Sequence, residues 1–164
     1  CAPDAIGSQA HVAGWYTDQE FATMLNELAE AGLPLQITEF WAHAKDNPFK
    51  DEMDEATAEK ALIDHVTMIY SLAFAHPQVN HLTYWGGREW FDENGNATNL
   101  YFTLKKLIKE KWTTNVSLIA DANGEILVPA FFGEYALEIS DQQGNKRYQS
   151  FSFAKNDPIK NFVF

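Results

Sequence analysis

Polar side chains with catalytic potential lie at the ends of two predicted strands. Gln9 and His11 fall at the end of the first apolar segment, and Glu39 falls near the end of the second. Carboxylates and imidazoles are the usual nucleophiles, acids and bases of enzymes. In a strand with a two-residue period, Gln9 and His11 point to the same side. Glu39 is predicted either to carry out chemistry or to pair with a basic group, and His11 either to assist it or to serve as a structural histidine.

Aromatic side chains follow the same strand ends. Trp41 and His43 come directly after Glu39, and Trp85 and Trp90 come after a third apolar segment. Exposed indole rings suit the apolar faces of sugar rings, and packing in the core is the alternative for Trp85 and Trp90. The residues at these ends therefore favour a binding or catalytic site.

The elements that must position these residues alternate along the first two-thirds of the chain. Apolar patterns predict strands at residues 5–11, 35–40 and 79–84, each followed by a helix. The helices are predicted at 17–31, at 54–75 and from the turn at 92–96 to about Lys111. This order is typical of parallel β-α units, whose functional side chains collect at the carboxyl ends of the strands.

The helix boundaries carry their own signals. Thr17 with Glu20 forms the pattern of a capping box, and Gly32 is placed to take a left-handed conformation after the helix. The helix predicted at 54–75 has one apolar face, formed by Leu62, Val66, Ile69 and Ala73.

The last third of the chain has a different pattern. Short alternating segments separated by glycine-containing turns predict antiparallel strands at 116–120, 126–131, 135–139 and 148–153. We therefore predict two domains, an α/β part at residues 1–112 and a small antiparallel β module at residues 113–164.

Composition excludes several classes of protein. The 164 residues carry a net charge of -11, which disfavours nucleic acid and anionic membranes as partners. Cys1 is the single cysteine, so neither an intrachain disulfide nor a thiolate metal cluster can form. No apolar run of ~18 residues predicts a membrane span, and we expect any export signal to lie outside this chain. A complete α/β barrel of ~250 residues does not fit.

The sequence lacks the signature motifs of several further classes of enzyme. The sequence has no HExxH, P-loop, GxGxxG or GxSxG pattern. Glu39 and His43 are four residues apart, but they leave a strand rather than share a helix face. We predict no metal and no cofactor.

Three segments together resemble the C-terminal portion of the family 10 glycoside hydrolases, the endo-β-1,4-xylanases. Residues 6–11 (IGSQAH) are similar to the sixth strand of that family's barrel, and residues 32–40 (GLPLQITEF) to the seventh. Residues 82–86 (LTYWG), followed by Trp90 and residues 91–95 (FDENG), resemble the eighth. The tail is similar to the β module that follows the barrel in some members. The resemblance implies an α/β fold made of the C-terminal three β-α units of a TIM (β/α)8 barrel, strands six to eight, followed by the β module.

The resemblance also implies roles for individual residues. Glu39 would be the nucleophile of a retaining glycosidase, and His11 would bind and orient its carboxylate. Gln9, Trp85 and Trp90 would line the sugar site, and we expect Trp41 and His43 to contact substrate as well. The implied substrate is xylan or xylo-oligosaccharide, and the implied location is secreted or extracytoplasmic.

Two departures from the family pattern modify these expectations. The family's acid/base glutamate lies on the fourth strand, so we expect an N-terminal half of the barrel, in the same protein or a separate chain, to supply it. Trp41 stands where the family usually has an aspartate that supports the histidine. A non-catalytic carbohydrate-binding or structural remnant is the alternative function. A weaker alternative makes Glu89 or Asp92 the second carboxylate.

Overall fold

We describe residues 2–11, 15–154 and 162 of the computed structural model. The chain divides into two compact units, Cys1–Lys106 and Leu107–Phe164. The first alternates strands and helices, and the second contains an antiparallel strand pair. The fold is therefore mixed α/β. The assignment of barrel units to residues 1–112 and of a β module to residues 113–164 stays a prediction. Within the described residues, no helix is both long and apolar enough to cross a bilayer.

A parallel sheet of three strands runs through the first unit. Its strands are β1 (Ile6–Ser8), β2 (Leu35–Phe40) and β3 (Val79–Tyr84), in the order β1-β2-β3. Leu35 pairs with Ile6 on one side and with Val79 on the other, and both pairings are parallel. The predicted parallel order is thus confirmed. The carboxyl ends of all three strands meet at one edge of the sheet.

Strand β1 is shorter than the predicted strand at residues 5–11. Ala10 has a φ of 47°, which an extended strand does not allow, so regular pairing ends at Ser8. The chain then returns to the sheet at His11, which forms an isolated parallel bridge with Trp41.

Helix α1 (Asp18–Ala29) begins with the predicted capping box. Thr17 Oγ1 accepts from the backbone N–H of Glu20 at 3.2 Å, and the Glu20 carboxylate accepts from the backbone N–H of Thr17 at 2.8 Å. The backbone N–H of Thr17 first, and then its hydroxyl, donate to the Glu20 carboxylate and lower the pKa of Glu20. Beyond the helix, Gly32 has a φ of 71°, as predicted.

Helices α2 (Glu55–Ala75) and α3 (Asn99–Lys106) follow β2 and β3. The Asp54 carboxylate accepts from the backbone N–H of Thr57 at 2.8 Å and caps α2. Hydrogen bonding from the Thr57 side chain first, and then from its backbone N–H, lowers the pKa of Asp54. The helix predicted to reach about Lys111 is α-helical through Lys106, and Leu107–Lys111 form a π-helical turn. Two 3-10 turns, Ala44–Asp46 and Lys50–Glu52, lie between β2 and α2.

The core of the first unit lies between the sheet and its helices. Buried side chains of β2 pack with the apolar faces of the helices, and the face predicted for α2 is buried. The buried apolar side chains of these elements are Leu35, Ile37, Phe40, Phe21, Leu25, Leu62, Val66, Ile69, Ala73, Leu100 and Leu104.

The second unit contains one antiparallel hairpin, formed by β4 (Gly133–Ser140) and β5 (Lys146–Phe153). These strands include the predicted segments 135–139 and 148–153. Along β4, half-buried and exposed side chains alternate, so one face of the hairpin is the more covered.

The two other predicted strands, at 116–120 and 126–131, are wrong: the structure describes both segments without strand pairing. The turn between them does form, with the backbone N–H of Asp121 bonded to Glu125 O at 3.0 Å. Pro129 lacks the N–H that a ladder in the second segment needs. In addition, Ile119 and Leu127 are almost fully exposed, so no buried face supports an extended pairing.

Candidate active site

The carboxyl-end edge of the parallel sheet brings Gln9, His11 and Glu39 together. Gln9 Nε2 donates to Glu39 Oε1 at 3.3 Å. His11 Nε2 lies 3.0 Å from Glu39 Oε2. Each carboxylate oxygen therefore faces one nitrogen, and these two contacts fix the orientation of the group. The side chain of Glu39 is 25% exposed and that of His11 is 41% exposed, so the pair is open to a ligand.

An unusual backbone conformation at Ala10 sets the directions of Gln9 and His11, the two partners of Glu39. Ala10, which lies between Gln9 and His11, is buried and has a left-handed φ of 47°. This conformation is unfavourable for residues with a Cβ and costs of order 1–3 kcal/mol, and such strain is often found at functional sites. The pattern of residue types gives no signal for it, since glycine rather than alanine is expected at a positive φ.

Trp41 takes part in the site through its backbone. It forms the parallel bridge with His11, and its own side chain is half-buried. This bridge ties the chain after β1 to the chain after β2. The position where the family that the sequence resembles usually carries an aspartate thus holds a tryptophan whose backbone pairs with that of the histidine.

The two tryptophans after β3 differ in exposure. The side chain of Trp85 is exposed, at 56%, and its backbone N–H donates to Phe40 O at 2.7 Å. Trp90 is half-buried and packs edge-on against Tyr84, with ring centroids 4.8 Å apart. Trp85 therefore offers a free indole face at the same edge as Glu39, and Trp90 is anchored by its neighbour.

His43 contacts a different carboxylate. Its Nε2 lies 3.7 Å from Glu89 Oε1, and the Glu89 side chain is only 9% exposed. Tyr84 lies nearby, since its pKa is raised by burial first and then by the negative charge of Glu89. The Tyr84 hydroxyl donates to Ala42 O at 3.0 Å. Among the described contacts, His43 is joined to Glu89 and Lys45 rather than to Glu39.

Asp92, the other candidate for a second carboxylate, is occupied within a turn. Its oxygens accept from the backbone N–H groups of Asn94 and Asn96 and from the Asn96 side chain. These bonds, led by those from Asn96, lower the pKa of Asp92.

Sequence reasoning did not find the Glu89 and His43 contact or the Tyr84 hydrogen bond. Both join segments about forty residues apart. The spacing of the residues gives no signal for either. In the part of the chain that the structure describes, no three or more His, Cys, Asp or Glu side chains group around a possible metal position.

Residues 2–114 match the model of the family described as Glycosyl hydrolase family 10. This segment contains the three strands and every candidate site residue. A search of curated proteins finds no matching relative.

Proposed function

The chain belongs to glycosyl hydrolase family 10, and on that premise we propose that it is the nucleophile-bearing part of a retaining endo-β-1,4-xylanase-like hydrolase. The observation that carries this proposal is the Glu39 carboxylate, held by Gln9 at 3.3 Å and by His11 at 3.0 Å and still a quarter exposed. A nucleophile must be oriented without being enclosed, and these contacts meet both conditions.

In the proposed first step, a Glu39 oxygen attacks the anomeric carbon of the sugar and the bond to the leaving oxygen breaks. A second carboxyl group, ~5–5.5 Å away in retaining enzymes, protonates that oxygen. Water then attacks the anomeric carbon of the glycosyl-enzyme ester, and the second carboxylate takes a proton from the water. The bond between that carbon and the Glu39 oxygen breaks, so that Glu39 leaves as a carboxylate. His11 keeps the Glu39 carboxylate oriented through both steps, and Gln9 does the same from the other oxygen.

The proposed substrate is a polysaccharide such as xylan. The exposed Trp85 supports a sugar contact, because an indole face packs well on the C–H face of a sugar ring. Trp90 and Trp41 are proposed as further walls of the site. The net charge of -11 agrees with a largely uncharged substrate and an extracytoplasmic location.

We further propose that an N-terminal barrel half completes the site and supplies the acid/base carboxylate. Two observations support this. The described parallel sheet has three strands rather than a closed ring, and Glu89 and Asp92 are both engaged by protein groups. Open edges of a parallel sheet favour the addition of further strands.

The test joins this chain to strands one to five of a family 10 barrel and measures xylan hydrolysis. We expect activity in the joined protein, loss of it in Glu39→Ala, and partial recovery with azide, which attacks the anomeric carbon in place of the carboxylate. Recovery requires an aryl xyloside with a good leaving group, and the product is the sugar azide of inverted configuration.

The matched control is Glu27→Ala, which removes an exposed glutamate on α1 and is expected to leave hydrolysis unchanged. If Glu39→Ala hydrolyses xylan as well as the parent, Glu39 is not the nucleophile. Sugar binding without hydrolysis in the joined parent would favour the non-catalytic carbohydrate-binding alternative.

A further inference from the structure

His43 is engaged by protein atoms at both nitrogens of its ring. Nδ1 accepts from the backbone N–H of Lys45 at 3.3 Å and so caps the 3-10 turn Ala44–Asp46. Nε2 lies 3.7 Å from Glu89 Oε1. Because Nδ1 acts as an acceptor, the proton of a neutral ring is on Nε2 and faces the carboxylate, and a protonated ring forms an ion pair with it. Nδ1 is therefore occupied by the Lys45 N–H, and Nε2 faces the Glu89 carboxylate.

Two further groups lie close to Glu89. A Cβ built on Gly86 would lie 3.9 Å from Glu89 Oε2, so this oxygen faces the start of its own segment. The carbonyl oxygen of Glu89 accepts from Thr98 Oγ1 at 2.6 Å. A carboxylate that is only 9% exposed needs a partner, and His43 provides one.

The segment after β3 needs such an anchor. Gly86 has a φ of 104° and Gly87 follows it. Because glycine has no Cβ, the backbone directly after Trp85 can adopt many conformations. The Trp85 N–H is bonded to Phe40 O, but its exposed side chain is not fixed by packing in the core. The contact between Glu89 and His43 follows these two glycines in the chain and joins the segment after β3 to the segment after β2.

We propose that His43 and Glu89 are a positioning pair, which fixes residues 85–90 against residues 41–46 and thereby sets where the Trp85 indole stands at the edge of the sheet that carries Glu39. Neither residue touches substrate in this role. His43 acts through Glu89, and Glu89 acts through the backbone that carries Trp85 and Trp90. The effect on sugar binding rests on the proposed function, whereas the effect on the backbone does not.

Two substitutions at position 43 separate the two contacts of the imidazole. His43→Asn keeps an acceptor close to the position of Nδ1 for the Lys45 N–H but does not reach Glu89. His43→Gln keeps an N–H donor near the position of Nε2 but loses the acceptor for Lys45. Amide hydrogen exchange and the indole N–H resonance of Trp85 are measured in the 164-residue chain, with the amides of α2 as internal reference.

We expect His43→Asn to raise the exchange of the amides at 85–90 about tenfold relative to α2 and to shift the Trp85 indole resonance. His43→Gln should stay within about twofold of the parent at 85–90 and loosen the Ala44–Asp46 turn instead. Combining His43→Asn with Glu89→Leu, which has no acceptor at the end of its side chain, should add little to His43→Asn alone, because each substitution removes the same interaction. Equal exchange in the two position 43 variants, no change at 85–90, or an equal rise throughout α2 would overturn the proposal.

A titration with xylo-oligosaccharide then separates this inference from the proposed function. We expect His43→Asn to weaken binding about tenfold and His43→Gln to retain it, since only the former releases Trp85. Absence of binding by the parent chain and by the joined barrel would count against the proposed function, while the exchange data would still decide the positioning role. Direct sugar binding by His43 predicts instead that both substitutions weaken binding equally and leave exchange at 85–90 unchanged.

Discussion

Two carboxylate and histidine pairs follow the strands of the same parallel sheet, yet their surroundings differ. Glu39 is 3.0 Å from His11, accepts a second hydrogen bond from Gln9 and keeps a quarter of its side chain exposed. Glu89 is 3.7 Å from His43 and is 9% exposed. Both pairs consist of a glutamate and a histidine, so residue type does not distinguish them. Exposure and further partners separate a carboxylate that can meet a ligand from one that holds two segments together.

The largest expected effect contrasts the two carboxylates directly. In the joined barrel, Glu39→Gln should lower kcat for xylan by about 10³-fold or more, because the amide cannot form the glycosyl ester. Glu89→Gln keeps the shape of the side chain and should lower kcat/KM by about tenfold, through Trp85. Initial-rate measurements on the two variants decide this. Losses of similar size would mean that Glu89 also takes part in the chemistry.

A third histidine extends the comparison, because it is buried and stacks on an aromatic ring. The ring of His65 lies 4.5 Å from that of Trp15, and burial lowers the pKa of His65 to about 4. The unfolded chain, with an ordinary pKa near 6.5, takes up the proton first. Stability is therefore fully present above pH ~6.5 and falls as the pH drops towards 4, by on the order of 3 kcal/mol.

Urea unfolding at pH 7.5 and pH 4.5 tests this contribution. His65→Phe keeps an aromatic ring against Trp15 and removes the titrating group, so its stability should fall less between the two pH values than that of the parent. The same loss in both proteins would place the acid sensitivity elsewhere in the chain.

The next effect concerns the pair formed by His43 and the largely buried Glu89, here called the enclosed pair. His43→Ala leaves the Glu89 carboxylate without its partner, and we expect the free energy of unfolding to fall by about 1–3 kcal/mol at pH 7. The control is Lys60→Ala, which breaks the exposed pair with Asp64 on α2 and should cost about 0.5 kcal/mol or less. Urea unfolding of both variants gives the difference. If His43→Ala costs no more than Lys60→Ala, the enclosed pair is no stronger than a surface ion pair.

The smallest expected effect concerns the backbone of Ala10, which sets the position of His11 relative to Glu39. Ala10→Val places a β-branched residue at a φ of 47° and should cost about 1–2 kcal/mol. It should also separate His11 from Glu39, which the side-chain resonances of His11 report. Ala10→Gly tolerates the same φ and should leave that contact in place. Unchanged His11 resonances in Ala10→Val would show that the conformation at Ala10 does not set the position of this side chain.

Local signals predicted much of the first unit. The capping pattern of Thr17 and Glu20, the left-handed Gly32 and the apolar face of α2 each depend on neighbouring residues, and all three are confirmed. The parallel order of the strands followed from the alternation of strand and helix patterns. The family was identified from three short segments, and the family match confirms it.

Features that depend on long-range contacts or on an unusual backbone were not predictable. The Glu89 and His43 pair joins two loops through the fold, and no spacing rule connects them. Ala10 adopts a conformation that its residue type disfavours, so β1 was predicted too long. At residues 116–120 and 126–131, alternation suggested strands, but an apolar pattern forms a strand only when a partner and a covering face are present.

The exposed segments on either side of the Asp121 turn have a practical consequence for handling the protein. Ile119 and Leu127 face solvent almost completely, with Val116 and Leu118 more than half exposed near them. At neutral pH the net charge of -11 makes molecules repel one another and keeps these side chains apart. Near the isoelectric point, or at high salt, that repulsion fades, and the same side chains become points of self-association. Purification and storage at low ionic strength and neutral to mildly alkaline pH should preserve a monodisperse sample.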